Sequence, residues 1–169
     1  MPIPAAEART TFFSAGAIRF GVEFRELTDA VAASAVLEAA SGDERGQTTE
    51  LDDRGVSIHV FGNQDGEERE FLRFDCFLED PHYHYISWRE HSNEMLHMDP
   101  ALSGDPVEFA LECIGRRLPS LLARAGAPEL AGAVDPVLVE RALHQVRDAA
   151  MRLRDAGAQQ GIPSQGSTQ

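Results

Sequence analysis

The sequence contains no lysine: all 15 of its basic residues are arginine. That excludes a Schiff-base lysine, a P-loop lysine, a lysine general base and any switch based on lysine acetylation or ubiquitination. Cysteine is scarce as well. Cys76 and Cys113 are too few for a disulfide framework, so free thiols in a reducing cytoplasm are expected. Apolar runs are short, none approaching the roughly 20 residues that span a bilayer. Met1–Thr11 lacks the charged head and apolar middle of a signal peptide. There is no Gly-x-Ser-x-Gly elbow for a catalytic serine, and no glycine-rich loop opens a helix for a dinucleotide. Positive charge is also short, with 28 acidic residues against 15 basic ones and a net charge of −13. A surface of that sign is expected to bind neither nucleic acid nor an anionic membrane.

The acidity is concentrated. Residues 41–80 hold 12 acidic residues and 4 arginines, which accounts for −8 of the −13. The segment reads as a solvated loop region, with a docking face for a basic protein partner as the alternative. Composition is otherwise ordinary for a globular chain, 43% hydrophobic and 25% charged. The expected organisation is a single α+β domain over 1–156, followed by a disordered Gly/Gln/Ser tail over 157–169.

Periodicity divides the chain into early strands and late helices. Ile18, Phe20, Val22 and Phe24 alternate with Arg19, Gly21, Glu23 and Arg25, which predicts a half-buried strand over 17–25. Thr28 can cap a short helix through Ala40 that Gly42 stops, and 41–54 read as a loop. Val56, Ile58 and Val60 mark a second strand. A turn at Asp65-Gly66 leads to a third, with Leu72, Phe74, Cys76 and Leu78 on one face and Phe71, Arg73, Asp75 and Phe77 on the other. His82–Trp88 forms a fourth. Connections this short impose an antiparallel meander of about four strands. Asp105-Pro106-Val107-Glu108 reads as a capping box opening a helix with the stripe Val107, Leu111, Ile114, Leu118 and Leu121, which Pro119 must kink or restart. A last helix runs from Pro136 until Gly157 stops it. The two long helices are expected to cover one face of the sheet.

Chemistry concentrates in one segment. Five of the six histidines lie between 59 and 97, four of them in 82–97. His82 and His84, two apart on a strand, point to the same face and can reach one ion, zinc, iron or copper being the divalent candidates. Two orientations are open. With Ile86 and Trp88 in the core, the histidines turn toward Cys76 and form a nitrogen–sulfur set. With Tyr83 and Tyr85 in the core, they share the outer face with His59 and Asp75 and form a nitrogen–oxygen set. The pair departs from the cupin pattern, since Glu90 lies too far past His84 and no second glycine–histidine–asparagine motif follows. Glu94-x-x-His97 has the helical spacing of di-iron bundles, but a second such motif is missing. Cys76 next to a histidine could be a nucleophile, although its register with Leu72 and Phe74 reads as a buried, inert thiol, and Cys113 reads likewise.

The face carrying Phe61, Phe71 and Phe77 is too apolar for water. Coverage by 89–104 or by a second subunit of a homodimer is expected, or else a pocket. The ligand-binding candidates are His59, Arg73, Asp75, Tyr83 and Tyr85, with Arg73 suited to an anion. Arg73 and Arg89 are the cations expected near the histidines. The leading expectation is a small-ligand-binding or accessory module on the meander strands. The alternative is a small metal-dependent enzyme in which His82 and His84 hold the ion.

Overall fold

The computed structural model describes residues 1–27 and 53–160, and within them the chain is a mixed α+β fold. Six strands form one antiparallel sheet in chain order: β1 (Thr11–Ala15), β2 (Ile18–Leu27), β3 (Asp53–Gln64), β4 (Glu67–Phe77), β5 (His82–Ser87) and β6 (Ser92–His97). Four helices follow: α1 (Pro100–Ser103), α2 (Pro106–Arg124), α3 (Pro128–Gly132) and α4 (Pro136–Gln160). The meander is as expected but has two more strands, one at each edge. Both edges lack alternation. In β1 the adjacent Phe12 and Phe13 lie on opposite faces of an edge strand, and β6 is polar and exposed. The expected helix over 28–40 and most of the expected loop over 41–54 lie outside the described residues, while Asp53 and Arg54 already belong to β3.

Period-two alternation builds the core. Phe20 and Val22 of β2, Ile58 and Val60 of β3, and Leu72 and Phe74 of β4 are buried toward the helices. Each such side chain contributes about 1.5–3 kcal/mol through removal from water. Helix α2 packs against β4, and α4 lies across β1, β2 and β3. Ile114, Leu118 and Leu122 of α2 meet the sheet, as do Val139, Val146 and Ala150 of α4. Leu78, expected on the core row, lies past the end of β4 and is exposed.

Helix ends follow local chemistry. Asp105 Oδ1 accepts the backbone N–H groups of Val107 and Glu108, each at 3.0 Å, and proline at the first helical position needs no donor. Asp135 caps α4 in the same way. The reciprocal half of the expected capping box is replaced: Glu108 pairs instead with Arg147 of α4, and Arg154 with Asp105. Pro119 does not divide α2. It lies on the exposed side, where water can take the orphaned carbonyl, while Ile114, Leu118 and Leu122 anchor the helix on both sides of it. Nor does Gly157 stop α4, which continues to Gln160 and so includes the first residues of the expected tail. A Cβ at Gly157 would collide with the Phe24 ring, so this glycine serves close helix–sheet approach. Residues 161–169 lie outside the described residues.

Candidate metal centre

The sheet face turned away from the helices should be polar and wet, yet it is buried. Glu23 and Arg25 of β2, Ser57 and His59 of β3, Arg73 and Asp75 of β4, and His82 and His84 of β5 are all below 9% exposed. The N-terminal segment lies against this face. Ala6 donates its backbone N–H to Glu23 Oε2 at 3.2 Å, and Pro2 and Ile3 wall a cleft of about 160 Å³ over Asp75. Among the described residues, cover therefore comes from 1–10, joined from the expected 89–104 by Asn93.

A β-bulge supplies one member of the network. Val60 pairs with Leu72 but Phe61 pairs with Glu70, so Phe71 is the extra residue. Simple alternation would place Glu70 on the helix side. The bulge reverses it, and Glu70 grips Arg73 with two bonds, Nε to Oε1 at 2.9 Å and Nη2 to Oε2 at 2.7 Å. His59 bridges Glu70 Oε1 at 2.6 Å through Nδ1 and Glu23 Oε1 at 3.1 Å through Nε2. Burial would raise both carboxyls. His59 outweighs it for each, together with Arg73 for Glu70 and with Arg25 and the Ala6 N–H for Glu23, and both are held below the usual range. Burial would lower His59, and the two carboxylates reverse that.

The second cluster is built from β4 and β5. Register places Asp75 opposite His82 and Arg73 opposite His84. His82 Nε2 lies 3.4 Å and His84 Nε2 3.3 Å from the same oxygen, Asp75 Oδ2, and the three ligand atoms lie within 4.8 Å of one another. Ser57 donates its hydroxyl to the other oxygen, Oδ1. The imidazoles are anchored from behind. His82 Nδ1 donates to the backbone carbonyl of Asp80 at 2.7 Å, and His84 Nδ1 to Asn93 Oδ1 at 2.9 Å. A carbonyl can only accept, so Nδ1 carries a proton, and a ring without a second proton presents its Nε2 lone pair to the carboxylate. Asp53 secures the turn beneath by accepting the backbone N–H groups of Leu78, Glu79 and Asp80.

Two lone pairs and a carboxylate oxygen in mutual contact require either protons or a cation between them. Burial would raise Asp75, but His82, His84, the charge of Arg73 and the Ser57 hydroxyl hold its carboxyl well below the usual range. His82 is raised despite burial, by Asp75 and the Asp80 carbonyl. Metal bonds of about 2.0–2.2 Å place neighbouring donors about 3.0–3.4 Å apart, which the two His–Asp75 spacings match. One carboxylate and two imidazoles suit zinc, iron(II) or another first-row divalent ion, with coordination positions left over. The Nδ1 anchors are the outer contacts such ligands ordinarily carry.

Of the two orientations considered from sequence, the nitrogen–oxygen one is found. Cys76 stands on the opposite, helix-facing side of β4 and is outside the ligand set, because neighbours on a strand point apart. Burial also pushes its thiol up, which disfavours the nucleophilic thiolate. Tyr83 and Tyr85 likewise face the helices. Tyr83 stacks on Phe74 at 5.7 Å, and Arg124 lies 4.1 Å over the Tyr85 ring, so neither joins His59, Arg73 and Asp75. The Glu94-x-x-His97 spacing falls on strand β6, where the two residues part: Glu94 pairs with Arg124 and His97 with Asp80. Arg89 is not at the cleft but pairs with Glu129 of α3, and Arg25 lines the cleft instead. Asn93, Asp53, Ser57 and Glu70 were not singled out from sequence. Asp53 and Asn93 sit in segments without alternation, and Glu70 depends on the bulge.

Three of the acidic residues in 53–80, namely Asp53, Glu70 and Asp75, are buried and used internally. No helix among the described residues is long and apolar enough to cross a membrane. Comparison with curated proteins and with solved structures returns no match. A family model described as "Domain of unknown function (DUF7700)" matches residues 12–150, and the chain belongs to that family.

Proposed function

We propose that this protein binds a divalent transition metal through Asp75, His82 and His84 and uses the open coordination positions for chemistry on a small ligand entering the cleft. The observation that supports this reading is the convergence of two Nε2 atoms on Asp75 Oδ2 at 3.3–3.4 Å, with both Nδ1 atoms already donated elsewhere. Three protein ligands grouped on one side are the arrangement of metal sites that work on a bound water or substrate, whereas purely structural sites close the shell with a fourth. The bound ion would act as a Lewis acid and lower the pKa of its water. Asp75 and the two histidines would hold it, and the walls of Pro2, Ile3 and Phe77 would limit water access.

The test is metal content of the untagged protein together with zinc titration by calorimetry. About one equivalent per chain is expected in the wild type and none in His82→Ala/His84→Ala. Sub-stoichiometric metal that survives the double substitution would place binding elsewhere and defeat the proposal.

A further inference from the structure

Charge around the centre determines what else it can hold. Besides His82 and His84, six ionisable groups are buried on this face among the described residues: the ligand Asp75 with Glu23 and Glu70, against Arg25 and Arg73, with His59 between. Their sum is −1 with His59 neutral and 0 with it protonated. A divalent ion coordinated by neutral histidines leaves the face with an excess of positive charge in either case, away from water, where an uncompensated charge is costly. A small anion would remove that excess.

The two arginines are not equivalent. Arg73 also lines the cleft, but one edge of its fork, Nε and Nη2, is committed to Glu70 in a bidentate pair. Among the described residues Arg25 meets a carboxylate through Nε alone, 3.6 Å from Glu23 Oε1, while it lines the cleft with Asp75, His82 and His84. We infer that the cleft takes a small carboxylate ligand, one oxygen on the metal and the other on the Arg25 guanidinium, with its short apolar body against Ile3 and Phe77. This rests on the metal reading above. A carboxylate fits better than a phosphate because, among the described residues, Arg25 is the one cleft guanidinium without a bidentate carboxylate partner, enough for two oxygens rather than three or four.

The probe is propionate, added to protein loaded with cobalt(II), whose visible absorption reports a change of ligand. Saturable spectral change is expected for the wild type. Arg25→Gln should still take up cobalt but bind propionate about 10- to 100-fold more weakly, and Arg25→Lys, which keeps the charge without the fork, should fall between. Cobalt uptake with no response to propionate would overturn the carboxylate site while leaving the metal site standing. Equal propionate affinity in wild type and Arg25→Gln would do the same for the role of Arg25. Tighter binding of inorganic phosphate than of propionate would overturn the choice of anion. Failure to take up cobalt or zinc at all would remove the metal reading and this inference with it.

Discussion

Replacing Asn93 by alanine should weaken metal binding measurably while leaving the metal-free fold nearly unchanged. Asn93 lies on exposed edge strand β6, and among the described residues the one hydrogen bond of its side chain is the 2.9 Å bond from His84 Nδ1. Its loss should cost the metal-free protein about 0.5–1 kcal/mol, the ordinary worth of one hydrogen bond. The effect on metal is larger, because that bond sets both the tautomer and the ring orientation of a ligand. Contacts of this kind are worth about 10- to 100-fold in affinity. With free zinc at about 100 times the wild-type Kd, binding stabilises the wild type by about 2.7 kcal/mol. At about 2–4 °C per kcal/mol for a chain of this size, Tm rises by about 5–11 °C. In Asn93→Ala the same zinc concentration is only about 1–10 times Kd, giving about 0.4–1.4 kcal/mol and a rise of about 1–6 °C. His84→Ala should lose the rise almost entirely. Scanning calorimetry in zinc-buffered solution reads all three. An Asn93→Ala rise equal to the wild type's, alongside its loss in His84→Ala, would refute the claim that the Nδ1 anchor tunes the ligand.

Arg73→Met should destabilise the protein by about 3–5 kcal/mol in urea denaturation, because Glu70 would remain buried without its bidentate partner; a loss under about 1 kcal/mol would mean that His59 alone satisfies it. The metal-free protein should also lose stability as pH rises. His59, raised above 6.5 by Glu23 and Glu70 against burial and the opposing charge of Arg73, contributes stability fully present below 6.5 and lost as pH climbs through its folded value. Glu23 and Glu70, held below 4.5, contribute stability present above 4.5 and lost as pH falls. Tm of the wild type should therefore decline relative to His59→Gln as pH rises above 6.5. Parallel curves would show that His59 is not ionised in the fold. Taking the difference between the two proteins removes the parallel contribution of His82, which is raised as well.

Alternation was enough to read β2 to β5, because each has one face against helices and the burial difference between its faces is written in every second residue. It was enough as well to pair His82 with His84. Three other features escaped it. β6 is exposed on nearly every residue, so no burial pattern marks it, and its Glu94-x-x-His97 spacing imitates a helix. Glu70 reaches the outer face only because Phe71 is inserted opposite one residue of β3, and a one-residue insertion leaves no mark in an apolar run. Pro119 and Gly157 read as helix breakers, yet packing on both sides of Pro119 and the close approach of Gly157 to Phe24 override a local cost of about 1–3 kcal/mol.

By itself the sequence determined the chemistry available here. Without lysine, anything at this site runs on imidazole, carboxylate, thiol or a bound metal as far as residue type goes, and it was the fold that took Cys76 to the other face. Residue spacing likewise determined that His82 and His84 share a face. Which face they share was a matter for the tertiary structure, because Tyr83/Tyr85 and Ile86/Trp88 are about equally suited to a core. Helices α2 and α4 resolve that tie by covering the tyrosine side. The N-terminal segment then covers the other side, so Asp75, His82 and His84 meet out of water as a group that could hold a metal ion, with Arg25 beside them.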